Sequence, residues 1–171
     1  MFSKIPWLLL ACSLLSGCLG LPQGVEPVDN FQLQRYLGRW YEVARLDHSF
    51  ERGLDKVTAQ YALRNDGGIS VTNSGRSIKT GKMQQAEGRA YFVESPDLGY
   101  LKVSFFGPFY GSYVIFELDS DYQYAFVAGN STDYLWLLAR TPEVSQELLN
   151  QFIARASQLG FDTDKLILVN Q

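Results

Sequence analysis

The chain has 171 residues, of which 46% are hydrophobic and 14% aromatic, a composition typical of a globular protein with one sizeable core. With 15 basic and 18 acidic residues the net charge is −3, and no lysine or arginine cluster is interleaved with aromatic residues. These features exclude a disordered or fibrous chain and argue against a surface that follows nucleic-acid phosphates. We therefore expect one folded domain and no nucleic-acid partner.

The first 17 residues have the features of a secretory leader. Lys4 gives a positive start, Ile5 to Leu15 is an apolar run, and Leu15-Ser16-Gly17-Cys18 ends that run with small residues before a cysteine. The run is too short to span a bilayer. Its end resembles the lipobox of bacterial lipoproteins, in which the chain is cleaved just before an acylated cysteine. That resemblance implies a lipid anchor on Cys18, and the lack of aspartate after it favours the outer over the inner membrane. We expect the anchored protein on the periplasmic face.

Residues 18 to 30 are predicted to carry the lipidated cysteine and a tether. Pro22, Gly24 and Pro27 disfavour regular structure there, and the extended tether would span at most roughly 40 Å. Cys12 leaves with the leader, so the mature chain keeps one cysteine and has no internal disulfide. The alternative is an ordinary secretory leader that contains Cys18 by chance. Residues 31 to 171 form the predicted folded domain.

Eight segments that follow the tether are predicted to be β-strands. They are separated by turn residues, of which Asn65-Asp66-Gly67-Gly68 is the clearest hairpin signal. Eight antiparallel strands with short connections fit a closed up-and-down barrel better than a sandwich. The predicted strands are Trp40 to Asp47, Val57 to Leu63, Ile69 to Asn73, Met83 to Phe92, Tyr100 to Phe106, Ser112 to Leu118, Tyr122 to Ala128 and Tyr134 to Thr141.

One helix is predicted after the strands. Thr141 is placed to cap it, Pro142 suits its first position, and Gly160 ends it. A short final strand, Leu166 to Val169, follows. We therefore predict an all-β fold, an eight-stranded antiparallel barrel with one C-terminal helix packed outside. The apolar stripe of that helix consists of Val144, Leu148, Leu149, Phe152, Ile153, Ala156 and Leu159.

Three short motifs mark strand ends. Gly38-Arg39-Trp40 opens the first strand, Ser120-Asp121-Tyr122 precedes the seventh, and Arg140 ends the eighth. Together and in this order they resemble the signatures of the lipocalin family, although Ser120 replaces the usual threonine. The resemblance implies a barrel floored by Gly38, Trp40 and Arg140, with a cation–π contact between the last two.

Longer segments resemble the bacterial outer-membrane members of the same family. They are His48 to Leu54, Leu101 to Gly111 and Asp133 to Trp136, in addition to the lipobox. This resemblance implies a lipid-binding protein for a fatty acid or lysophospholipid, with a role in maintaining the envelope.

Strand alternation predicts which side chains line the barrel. If Trp40 and Arg140 point inward, Trp136 and Leu138 do so as well. Trp136 would lie about 13 Å above the floor, at the same open end as Tyr110, and the two rings would grip an acyl chain. The seventh strand is apolar on both faces and is left unassigned. The remaining predicted lining residues are Ala59, Tyr61, Ile69, Val71, Leu101, Val103, Phe105, Val114 and Phe116.

Other candidate chemistry is weaker. Phe50 and Leu54, on the loop after the first strand, are candidates for a lid. His48 is the single histidine, so neither a histidine metal site nor a catalytic triad is expected. Glu42 is interpreted as an inward floor residue hydrogen-bonded near Arg140.

The leading interpretation is a binding protein without cofactor or catalysis. The alternatives are a lipid-modifying enzyme and a structural lipoprotein with a filled barrel, and pairing of two barrels as a homodimer stays open.

Overall fold

The computed structural model describes residues 19–171, so the predicted leader and Cys18 lie outside the described residues. Eight antiparallel strands follow one another in the sheet, and the last pairs with the first. The sheet therefore closes, and the predicted eight-stranded up-and-down barrel is confirmed. The strands are β1 (Gly38–Arg45), β2 (Leu54–Leu63), β3 (Ile69–Ser77), β4 (Met83–Phe92), β5 (Tyr100–Phe106), β6 (Phe109–Leu118), β7 (Tyr124–Ala128) and β8 (Leu135–Ala139).

Two helices, a 3-10 turn and one short strand complete the fold. α1 (Leu33–Tyr36) lies across the closed end, and α2 (Gln146–Gln158) packs outside the barrel. The 3-10 turn (Thr163–Lys165) leads to β9 (Ile167–Leu168), which pairs with β1. No helix within residues 19–171 is long and apolar enough to cross a membrane.

The start of α2 differs from the prediction. The Ser145 hydroxyl accepts a hydrogen bond from the Leu148 N–H at 3.2 Å, so Ser145 is the N-cap. The predicted cap at Thr141 is wrong, because the Thr141 hydroxyl donates to the Glu143 carbonyl before the helix begins. Gly160, with a φ of +83°, ends the helix as predicted.

Apolar side chains form one cluster on each side of the sheet. The inner cluster surrounds Trp40 in the barrel, and the outer cluster lies between the sheet and α2. β7 contributes to both, because Ala125 and Val127 point inward while Phe126 points outward. The centroids of the Phe126 and Phe152 rings are 4.9 Å apart. This double use explains why β7 is apolar on both faces.

β6 faces the opposite way from the prediction. Leu101 of β5 lies opposite Tyr113, and residues opposite each other share a face of the sheet. Tyr113 and Ile115 therefore belong to the inner cluster, while Val114 and Phe116 belong to the outer cluster. The inward orientation predicted for Val114 and Phe116 is wrong, because the register with β5 decides the face and alternation along one strand does not reveal it.

The segment that precedes the barrel packs along its outside and does not hang as a free tether. Val25 is buried in the outer cluster, and the Val28 N–H donates to the Ile115 carbonyl at 2.9 Å. Nearer the start of the described chain, the Gly20 N–H donates to Ser112 Oγ at 2.9 Å. These contacts hold the segment against β6.

Candidate functional site

The closed end of the barrel is built around Trp40. This side chain is fully buried, and its indole N–H donates to the Tyr36 carbonyl at 2.8 Å. Cζ of Arg140 lies 3.9 Å from the indole centroid, and the guanidinium donates to the Arg39 carbonyl at 2.8 Å. Gly38 has a φ of +95°, and a Cβ there would lie 3.5 Å from Arg140 Nη1. Arg140 therefore closes the floor through the contact that the family resemblance implies.

Above the floor the barrel is hollow. Its cavity has a volume of about 880 Å³, within the range of roughly 300 to 1,000 Å³ usual for small-molecule sites. The alternative of a filled barrel is therefore wrong. The predicted lining residues that border this cavity are Ala59, Tyr61, Ile69, Val71, Leu101, Val103, Phe105, Trp136 and Leu138.

Two predicted ligand-binding residues are placed differently from the prediction, Phe116 away from the cavity and Tyr110 at its rim. Phe116 packs in the outer cluster and does not border the cavity. Tyr110 borders the rim, but its ring packs 6.4 Å from the Tyr91 ring, and Nζ of Lys102 lies 5.3 Å from its centroid. The residues next to Tyr91 and Lys102 in their strands line the cavity, so these two side chains point outward. The structure therefore does not bring the rings of Tyr110 and Trp136 together.

Four rings pack together at the mouth instead. The His48 ring lies 5.1 Å from Trp136 and 5.5 Å from Phe50, and Tyr134 stacks on both Trp136 and Phe50 at 6.2 and 6.4 Å. The loop between β1 and β2 thus folds onto β8, with Phe50 beside the opening. Leu54, the other lid candidate, begins β2 and does not border the cavity.

A β-bulge in β1 brings two charged side chains to the inner face. The register with β8 shifts between Glu42 and Ala44, so Glu42 and Arg45 both point inward, although residues three apart on a regular strand face opposite sides. Arg45 Nη1 donates to Glu42 Oε1 at 2.7 Å, and Nη2 donates to the Glu51 carbonyl at 2.9 Å. The interpretation of Glu42 as a floor residue beside Arg140 is therefore wrong.

Glu51 and His48 complete this charged cluster, which we define as Glu42, Arg45, His48 and Glu51. Glu51 Oε2 accepts from the Trp136 indole N–H at 3.2 Å and lies 3.1 Å from His48 Nε2. The His48 contact is not aligned as a hydrogen bond, and His48 Nδ1 has no hydrogen-bond partner among residues 19–171. Within the same residues, no three histidine, cysteine or acidic side chains are grouped to hold a metal ion.

The two carboxyl groups of the charged cluster differ in pKa. Burial raises the pKa of Glu42 well above its ordinary value, and the neighbouring Glu51 raises it further. Burial acts in the same direction on Glu51, but the contact with His48 and other polar contacts outweigh it and lower the pKa of Glu51. Ionising both groups would leave a second negative charge buried with one arginine. The two carboxyl groups therefore hold a proton more readily than two separate glutamates would, and Arg45, hydrogen-bonded to Glu42, lies beside the remaining charge.

Three tyrosine hydroxyls lie at the base of the cavity. The Tyr113 oxygen is 2.7 Å from that of Tyr36 and 2.8 Å from that of Tyr61. Burial raises the pKa of all three, so they stay neutral. Three hydroxyls joined by two hydrogen bonds leave one O–H that is not used within the group. Of these three residues only Tyr61 is predicted from the sequence, because the inward orientation of Tyr113 depends on the register of β6.

Comparisons with known proteins agree with this architecture. Residues 31–171 match the family described as Lipocalin-like domain. The outer membrane lipoprotein Blc of Vibrio cholerae is 61% identical over 166 residues, which cover 96% of this chain and 97% of that protein. The protein of the same name from Escherichia coli K12 is 52% identical over 96% of this chain and 91% of its own length. Apolipoprotein D of Mus musculus is 32% identical over 84% and 78%, respectively.

Solved structures show the same fold at lower identity. Insecticyanin from the tobacco hornworm Manduca sexta superposes with a TM-score of 0.69 at 22% identity, over 89% of this chain and 87% of that one. At this identity the likeness extends to the fold alone.

Proposed function

This chain belongs to the lipocalin family, and from that premise we propose that it is an outer-membrane lipoprotein that binds a fatty acid or lysophospholipid. It holds one such lipid in the barrel and stores or transports it for maintenance of the envelope. The observation that carries the proposal is the cavity of about 880 Å³ above a sealed floor. The outer-membrane location is supported by the names of the relatives and by the absence of aspartate after Cys18, and the periplasmic face is part of the proposal.

A single acyl chain suits the shape and polarity of this cavity. The floor is closed and the wall is mainly apolar, so a tail enters from the mouth and the head group stays near Trp136. A chain of about fifteen methylene groups gains up to roughly 12 kcal/mol on leaving water, most of which is offset by lost motion of the ligand. A Kd near micromolar, about −8 kcal/mol, is the expected result.

The lipid-modifying enzyme remains the second candidate because Glu42 lines the cavity and has a raised pKa. Family membership favours binding over catalysis, and Arg45 already occupies one Glu42 oxygen. Incubation with a lysophospholipid distinguishes the two candidates. Recovery of intact lipid supports binding, whereas release of free fatty acid that Glu42→Gln abolishes would support the enzyme.

Replacing Trp136 with alanine should weaken the binding of a saturated fatty acid by about 1 to 3 kcal/mol, because the variant loses one aromatic wall at the mouth. The measurement is calorimetry on the mature chain from residue 18, carrying Cys18→Ser so that the protein has no acyl chains of its own. Native mass spectrometry of the same protein should show the mass of one retained single-chain lipid.

The matched control for this prediction is Tyr110→Ala, which removes a ring of similar size that packs on the outer face. It should bind as the parent does. Trp136→Phe keeps an aromatic ring at the mouth but removes the hydrogen bond to Glu51. Comparing its affinity with that of Trp136→Ala distinguishes the loss of ring contact with the ligand from the loss of the hydrogen bond that supports the charged cluster. Unchanged affinity in Trp136→Ala, or equal weakening by Tyr110→Ala, would place the ligand away from this wall.

Cys18→Ala in the full-length chain should abolish both acylation and cleavage, because Cys18 is the acceptor in the proposed lipobox. Intact-mass measurement of the protein from membranes tests this. Cys12→Ala is the control, since Cys12 lies within the apolar run and should be removed with it. Normal processing of the Cys18 variant would show that the leader is an ordinary secretory one.

A further inference from the structure

Large apolar side chains are exposed around the mouth of the barrel. They lie on, or at the strand ends beside, three of the connections at this end, between β1 and β2, β3 and β4, and β5 and β6. Each is between 62% and 78% exposed, although such groups are ordinarily covered. We define this apolar rim as Phe50, Ile78, Met83, Phe106 and Phe109.

Two lysines accompany the apolar rim. Lys79 and Lys82 lie on the turn between Ile78 and Met83, and neither has an ion-pair partner among residues 19–171. Other charges at the mouth are largely paired, as in the contact between Arg52 and Asp47 at 2.7 Å. Exposed apolar side chains flanked by lysines match the boundary between acyl chains and anionic head groups of a bilayer.

The start of the described chain lies near the same end of the barrel. The segment before β1 runs from the closed end, past Ile115, to Ser112, where Gly20 is bound. Ser112 is three residues from Phe109 on the same strand, about 10 Å along it. Cys18 is two residues before Gly20, which adds at most about 7 Å of chain. An acyl anchor on Cys18 therefore emerges close to the level of the rim.

We propose that the apolar rim docks onto the surface of the bilayer that holds the anchor, so that the mouth of the barrel faces the lipid. The proposal rests on lipidation of Cys18, which is part of the proposed function, because the anchor and the rim then lie on one side of the molecule. In this arrangement a single-chain lipid passes between bilayer and cavity without crossing bulk water. The closed end, with Trp40 and Arg140, points away from the membrane.

The test is a fluorescent label at each end of the acylated mature protein. Its one native cysteine is used by the anchor, so Phe109→Cys at the rim and Asp121→Cys at the closed end each provide a single free thiol. The proteins are reconstituted in vesicles of equal parts phosphatidylcholine and phosphatidylglycerol that contain lipids with spin-labelled acyl chains. The label at Phe109→Cys should be quenched several-fold more than the label at Asp121→Cys. Equal quenching at both ends would overturn the proposal.

Further variants show whether the rim side chains cause the docking. Phe106→Ser together with Met83→Ser should reduce quenching of the label at Phe109→Cys. Leu63→Ser removes a large side chain that is 48% exposed at the closed end and should leave quenching unchanged. If the rim variant is quenched as strongly as the parent, the rim is not what holds the mouth to the bilayer.

Flotation of the vesicles separates this proposal from the proposed anchor. Protein that fails to float with the vesicles contradicts the anchor on Cys18. Protein that floats, while its rim label stays open to aqueous iodide and free of lipid quenching, contradicts only the docking. A rim label that is protected from iodide but not quenched by lipid would place a second copy of this chain on the rim, which also overturns the proposal.

Discussion

Replacing Trp40 with alanine should lower the free energy of unfolding by about 3 to 5 kcal/mol, the usual cost of truncating a large buried aromatic side chain. Trp40 is fully buried, and its ring is packed between Tyr36, at a centroid distance of 4.7 Å, and Arg140. The variant also leaves the Tyr36 carbonyl without its indole donor. Chemical denaturation of parent and variant measures the loss.

Arg140→Ala should also destabilise the protein, and its effect should not add to that of Trp40→Ala. The guanidinium contacts the indole face, and such a contact contributes about 0.5 to 2 kcal/mol that either single change removes. Trp136→Ala is the size-matched control, because water can enter the space left at the open mouth. Additive losses in the double variant would mean that Trp40 and Arg140 do not support each other.

Replacing Arg45 with methionine should destabilise the protein by about 3 to 5 kcal/mol near neutral pH, because the change leaves an uncompensated carboxylate inside the barrel. Arg45 holds Glu42 through its side chain and Glu51 through its carbonyl, and all three residues are buried. A methionine retains much of the volume, so the loss reports mainly on the removed charge. Denaturant titration at several pH values is the measurement.

The deficit should shrink as the pH falls. Without the cation, burial raises the folded-state pKa of the carboxyl pair above its value in the unfolded chain. The contribution of the protonated pair to stability is therefore complete below pH 4.5, the ordinary pKa of a glutamate. It is lost as the pH rises through the folded-state pKa. Adding Glu51→Gln to Arg45→Met should recover part of the loss near neutral pH, since no carboxylate then needs a partner. A pH-independent deficit would show that Arg45 acts through packing.

The barrel itself follows from local patterns in the chain. Period-two alternation and turn residues define eight strands, and each strand carries its own signal regardless of its partners. The helix stripe is equally local, and its predicted start was wrong because both Thr141 and Ser145 are residues that can cap a helix. Gly38 and Trp40 are two residues apart, so one strand places both at the floor.

Other features depend on how strands meet, and the tertiary structure alone decided them. The side chain of Tyr113 points inward and that of Phe116 points outward because of the register between β5 and β6. The bulge after Glu42, which turns Arg45 into the barrel, appears only in the pairing of β1 with β8. From its own residue pattern, each of these strands could direct either set of side chains into the barrel, or could contain the extra residue of a bulge. The choice is made by the sum of cross-strand contacts and by which side chains must be buried together, which no single segment of sequence contains.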